Sequence, residues 1–165
     1  MSELYLLRHA HAGDRDTWQG PDDERPLTAK GRRQSEQLGR FLASVGFRPD
    51  AILTSPKARA AQTAELFAEP LKMEVQEESE LGDDVSLSEL ESILARAGEP
   101  ERVVLIGHDP DFSALVALLV GASRIPMKKG ALARIDVKRP LAPGGGVLRW
   151  LVPPDLLGSS AADES

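Results

Sequence analysis

Residues 102–108 read RVVLIGH, an apolar run closed by glycine and histidine. A strand that is apolar on both faces must be covered on both faces, which is the condition of a central strand in a parallel sheet. Similar short runs, LYLLR at 4–8 and AILTS at 51–55, alternate along the chain with longer stretches of helical period. This alternation predicts an α/β sandwich with a largely parallel sheet. At 165 residues the chain is long enough to bury a real core as one domain. It is too short for an eight-stranded α/β barrel of about 250 residues.

The connecting segments carry their own stop and start signals. LTAKGRRQSEQLGRFLASVG reads as a helix capped by Thr28, with Leu38, Phe41, Leu42 and Val45 on one face and Gly46 as its end. Ser55-Pro56 is expected to cap and open a helix running through Phe67, and Asp109-Pro110 to do the same for an apolar helix over 111–120. Ser86 and Glu89 have capping-box spacing, and Gly98 closes that helix. A weak strand is expected near 73–76. LARIDV and VLRWLV, joined across PGGG, read as a hairpin at the sheet edge. The domain is expected to span 1–155, with 156–165 a disordered tail and no internal repeat.

Composition removes several function classes. With 20 basic and 26 acidic side chains the net charge is −6, which argues against nucleic acid or an anionic membrane as the main partner. The absence of cysteine rules out disulfides, thiolate zinc sites and thiol catalysis. No signal-peptide core or membrane-length apolar run is present, so a cytoplasmic protein, taken as a monomer, is expected. The charge is uneven. Residues 65–101 are strongly acidic, whereas basic residues are in slight excess over 1–63, so an anion site belongs in the first third of the chain.

Three strands end in polar turns: Arg8-His9, Ser55, and Gly107-His108. In parallel α/β sheets such carboxyl-end turns converge on one crevice. The helices opening at Ser55 and Asp109 would aim free amides at it. Arg59, in the first turn of one of them, can reach back over the same crevice. Two guanidinium groups, two imidazoles and two helix ends make a phosphate cradle, because guanidinium forks match phosphate oxygens and stay charged. An imidazole is largely neutral and nucleophilic at pH 7, so His9 could attack phosphorus directly. Arg8, Arg59 and His108 would then hold the equatorial oxygens, with no metal or other cofactor called for.

LLRHAHA, RPLTAKGRRQ, TSPKARAAQTAE and LIGHDP are similar, in order and spacing, to the RHG or RHA, PLTxxG, SPxxRAxQTA and GH motifs of the histidine phosphatase superfamily. The short length, the RPLT block and the MKKGALAR segment resemble most closely its SixA-type phosphohistidine phosphatase branch. The resemblance covers most of residues 4–137. It implies a phosphoglycerate mutase-like, three-layer α/β/α sandwich with His9 as the nucleophile and Arg8, Arg59 and His108 as the phosphate pocket. It further implies, as substrate, phosphohistidine in a partner protein, or a small phosphate ester in the wider family. Larger phosphomonoesterase members carry a glutamate acid in an insertion between the second arginine and the second histidine. Here only ESELGDDVS fills that interval, leaving Glu80, and less favourably Asp22, as candidate proton donors.

Other readings stand beside these. Ser55 belongs to the expected substrate-binding set. His9 and His11 spell H-x-H, which with His108 would suit a metal-dependent hydrolase, but such sites sit on barrels this chain cannot build. His11 is therefore expected to line the rim or pack locally, Arg25 to anchor its loop with rim contact as the lesser alternative, and the acidic run at 77–84 to form a solvated face. A non-catalytic phosphate-binding module is the rival of another class. An idle binder has no use for a reactive histidine beneath the phosphate.

Overall fold

The computed structural model describes residues 1–158. Six strands form one sheet: β1 (Ser2–Arg8), β2 (Ala51–Thr54), β3 (Gln76–Glu77), β4 (Arg102–Gly107), β5 (Leu132–Val137) and β6 (Gly146–Val152), in the order β3-β2-β4-β1-β5-β6. β3, β2, β4 and β1 are parallel, β5 is antiparallel to β1, and β6 is antiparallel to β5 at the far edge, so the sheet is mixed but mostly parallel. The hairpin read from the sequence is this edge.

Alternation along the strands builds the two cores. Leu4 and Leu6 of β1, Leu53 of β2, and Val103 and Leu105 of β4 face α3 (Leu87–Arg96) and α4 (Asp111–Val120). Tyr5, Leu7, Ile52, Val104 and Ile106 face the other way, onto α1 (Ala29–Ser44) and α2 (Ala58–Ala68). With side chains fully buried on both faces, β4 is the central strand that its apolar run predicts. The result is the three-layer sandwich. Among the described residues no helix is long and apolar enough to cross a membrane.

Several boundaries differ from expectation for local physical reasons. Thr28 caps α1 by accepting the Gly31 amide at 3.1 Å, as read, and Leu38 and Leu42 are buried. Phe41 and Val45 remain exposed, because the stripe that meets the sheet is narrower than the apolar set. Ser55 does not cap α2. The helix starts three residues later, at Ala58, with Lys57 at the cap position, because the Ser55 hydroxyl is engaged elsewhere. By contrast, α4 runs over Asp111–Val120 as expected, with Pro110 at the cap position and the Asp109 carboxylate accepting from the Ser113 amide at 3.0 Å. Order also continues past 155. Pro154–Leu156 form a 3-10 turn, Leu157 packs on the core, and the Gly158 carbonyl accepts from Gln37 at 3.1 Å. The rest of the expected tail, 159–165, lies outside the described residues.

Candidate active site

Pairing in register places the histidines side by side. Arg8 of β1 is the ladder partner of Gly107 of β4, so the residues that follow, His9 and His108, leave the sheet together. Their ring centroids are 5.3 Å apart. The His9 amide donates to the Gly107 carbonyl at 3.0 Å, and the Ser55 amide to the Ile106 carbonyl at 3.0 Å, which brings the end of β2 to the same point. Thr63 of α2 completes the frame: its hydroxyl accepts from the Ala10 amide at 3.0 Å and donates to the Arg59 carbonyl at 2.7 Å.

Two hydrogen bonds set the chemistry of the imidazoles. Nδ1 of His9 lies 2.8 Å from the Ala10 carbonyl oxygen. A carbonyl can only accept, so Nδ1 carries the hydrogen and Nε2 holds the lone pair. Burial above all, then repulsion from His108 and the charges of Arg59 and Arg8, lowers the His9 pKa to about 3. His9 is therefore a neutral imidazole with a free Nε2 at any ordinary pH. His108 is lowered to about 3 as well, again by burial first and then by Arg59 and Lys57. Its Nε2 sits 2.7 Å from the Ser55 hydroxyl, while its buried Nδ1 has no hydrogen-bond partner.

The guanidinium groups are positioned from behind. Arg8 donates to the Met127 carbonyl at 2.7 Å and faces Asp109 at 3.4 Å. Arg59 donates to the Asp22 carbonyl at 2.9 Å and pairs with the Asp22 carboxylate at 3.2 Å. In both arginines the buried Nε is unpartnered. Native interiors rarely leave such groups unsatisfied, and here all three orphans belong to residues lining one cavity of about 510 Å³. That cavity brings Arg8, His9, Arg59 and His108 together, as the strand ends predict.

Three expected site residues fall elsewhere. Ser55 does not line the cavity; it is fully buried and holds His108, while also accepting the Lys57 amide at 3.2 Å. Glu80 is not brought to the cavity either. Its carboxylate pairs with Arg96 of α3 at 3.1 Å, because the short segment before α3 turns along that helix rather than over the strand ends. Asp22 stands behind Arg59 and also pairs with Arg25 at 3.0 Å and Arg15 at 3.5 Å. Its bond to Arg25, above all, holds the carboxyl below the usual carboxylate range, as suits an anchor for Arg59, and Asp22 does not line the cavity. Arg25 lines the cavity, its lesser alternative, and Arg15, Asp109 and Lys129 line it too without having been singled out for it. Lys129 lies within MKKGALAR, so the segment was visible while the role of its lysine was not.

His11 lies on the cavity wall with Nδ1 2.7 Å from the Thr28 hydroxyl, which is both rim position and local packing. Among the described residues no three His, Asp or Glu side chains are grouped so as to hold a metal ion.

Residues 4–111 match the family model of the histidine phosphatase superfamily, branch 1. The chain belongs to the histidine phosphatase superfamily. This histidine phosphatase is 38% identical over 112 residues to an uncharacterised protein of Picosynechococcus, covering 66% of this chain and 67% of that one. The structure of the protein histidine phosphatase SixA complexed with tungstate superposes with a TM-score of 0.81 at 25% identity, covering 94% of this chain and 99% of that one. The α-ribazole phosphatase of Shigella flexneri shares the fold at a TM-score of 0.68 and 21% identity, covering 92% and 96% of the two chains. This histidine phosphatase is therefore a phosphatase of SixA type in fold, and its fold also serves enzymes of small phosphate esters.

Proposed function

We propose that this histidine phosphatase removes phosphate from phosphohistidine in a partner protein, through a covalent phosphohistidine on Nε2 of His9, without a metal. The observation that carries the reading is the Nδ1 bond of His9 to the Ala10 carbonyl, which leaves Nε2 as a lone pair beside two arginines with unpartnered Nε groups. In the first step Nε2 attacks phosphorus, its bond to phosphorus forms, and the bond to the substrate's imidazole nitrogen breaks. The departing imidazole takes a proton from water. In the second step water attacks the phosphorus on His9, the P–Nε2 bond breaks, and inorganic phosphate leaves. Arg8 and Arg59 stabilise the equatorial oxygens in both steps by position and charge, and the neutral His108 adds a hydrogen bond.

The substrate class follows from the proton inventory. Expelling an alkoxide practically requires a placed acid, worth about 10²–10⁴-fold. Of the two carboxylates on the cavity wall, Asp109 is held by Arg8 and Ser113, and Asp14 is exposed, with one oxygen accepting the Asp16 amide at 2.9 Å, so neither is a buried carboxyl. Imidazole leaves without such help. The test is a panel of a phosphohistidine protein, an aryl phosphate and an alkyl phosphate assayed side by side. Preference for phosphohistidine and the aryl ester is expected. Equal turnover of the alkyl ester would move the assignment to small phosphate esters.

A further inference from the structure

We propose that Lys129 forms a second anion-binding position in the cavity, and that it receives a carboxylate carried by the substrate protein beside its phosphohistidine. This inference rests on the proposed function and extends it to substrate selection. A water molecule occupies about 30 Å³ of the liquid. A phosphoryl group therefore fills only a fraction of a cavity of about 510 Å³, and the remaining wall faces the rest of the substrate.

The cations on that wall are not equivalent. Arg8 faces Asp109, while Arg15, Arg25 and Arg59 each face Asp22. Among the described residues Lys129 makes neither a hydrogen bond nor an ion pair. Burial, together with Arg8, Arg25 and Arg59, lowers its pKa, and Asp14 on the same wall only partly offsets them. A bound carboxylate would relieve that repulsion.

Its place relative to the nucleophile is fixed by the backbone. The Gly130 amide donates to the carbonyls of Arg8 at 3.0 Å and His9 at 2.9 Å, and the Arg8 guanidinium donates to the Met127 carbonyl. Gly130 has φ of +82°, a conformation that glycine adopts without strain. The turn that presents Lys129 is thus clamped to the loop that presents His9. Lys129 is only partly shielded by the cavity wall and remains exposed at its mouth, where side chains flanking a phosphohistidine on a protein surface would lie. An ammonium group suits this position because it reads charge without demanding a fixed orientation. The enzyme's net charge of −6 disfavours an acidic partner overall, which makes the cationic mouth of the cavity the place where such a partner gains.

The experiment compares two phosphohistidine peptides, one flanked by glutamates and one by alanines, with a diol bisphosphate and p-nitrophenyl phosphate alongside. It uses the wild type, Lys129→Met and Lys129→Arg at low salt. The wild type should prefer the acidic peptide in kcat/KM by roughly three- to fivefold, the range of a partly exposed ion pair. The ratio should fall to about one in Lys129→Met, persist in Lys129→Arg, and fade in the wild type at high salt. An unchanged ratio in Lys129→Met, or an equal loss on both peptides, would overturn the inference. A Lys129-dependent preference for the bisphosphate over the acidic peptide would overturn the carboxylate in favour of a second phosphate. Wild-type turnover of p-nitrophenyl phosphate with neither peptide hydrolysed would instead overturn the proposed substrate class, and this inference with it. The ratio between peptides tests Lys129 alone.

Discussion

His9 and His108 are two imidazoles held neutral among arginines, and that state has a signature in pH. Both titrate near 3, against an ordinary value of 6.5. Between those values the unfolded chain binds more protons than the folded one. The stability these residues contribute is thus complete above pH 6.5 and is lost as pH falls toward 3. Imidazole 15N shifts should show both rings neutral at pH 5, and the urea midpoint should fall between pH 7 and 5. Protonation of either ring near pH 6.5 in the folded enzyme would contradict the burial account. Asp22 gives a second residue-scale prediction. As the anchor of Arg59, its change to Asn should lower kcat/KM by about tenfold or less on phosphohistidine and esters alike. A loss confined to alkyl esters would instead mark it as their acid. The legible site residues, Arg8, His9, Arg59 and His108, are those fixed by strand ends or by the first turn of a helix. Ser55, Glu80 and Lys129 were misread or missed because their partners are set by tertiary contacts: His108, Arg96 and the clamp between Gly130 and the His9 loop.

At the scale of elements, two glycines inside α1 set how closely it approaches its neighbours. A Cβ on Gly39 would stand 2.3 Å from the Phe67 carbonyl oxygen of α2, and one on Gly31 would stand 2.0 Å from the carbonyl oxygen of His11. Alanine normally stabilises a helix interior by roughly 0.5–1 kcal/mol over glycine. Here the sign should reverse, with a cost of about 1–3 kcal/mol from overpacking, seen as a lower Tm for Gly39→Ala. Gly31→Ala should lower kcat as well, since it displaces the loop after the nucleophile, whereas Gly39→Ala should leave kcat largely intact in the folded fraction. Equal or higher Tm for Gly39→Ala would show that the helices have room to separate. The helices themselves were legible in the sequence from period and caps. The start of α2 was not, because Ser55 spends its hydroxyl on His108.

The whole molecule sets a cationic cavity in an acidic protein. Five cations, Arg8, Arg15, Arg25, Arg59 and Lys129, line it against Asp14 and Asp109, while the chain carries −6 overall. Substrate anions are thus focused on one opening, and kcat/KM should fall several-fold from about 0.01 M to 1 M ionic strength as the screening length shrinks from about 30 Å to 3 Å. A rate indifferent to salt would mean that the paired carboxylates already cancel the field. The sandwich and the edge hairpin were legible because strand alternation must match two helical layers. Beyond that hairpin, the order of the strands was legible only at β4, whose apolar run demands cover on both sides, since short strands such as β3 carry too little pattern to place. The central claim is that phosphate passes through His9, and intermediate trapping tests it most directly. Wild-type enzyme mixed with labelled substrate, quenched within milliseconds under alkaline conditions and mapped by mass spectrometry, should carry one phosphate on Nε2 of His9, and His9→Ala should carry none while remaining folded. Label on another residue, or a His9→Ala variant of near-normal turnover, would contradict the account.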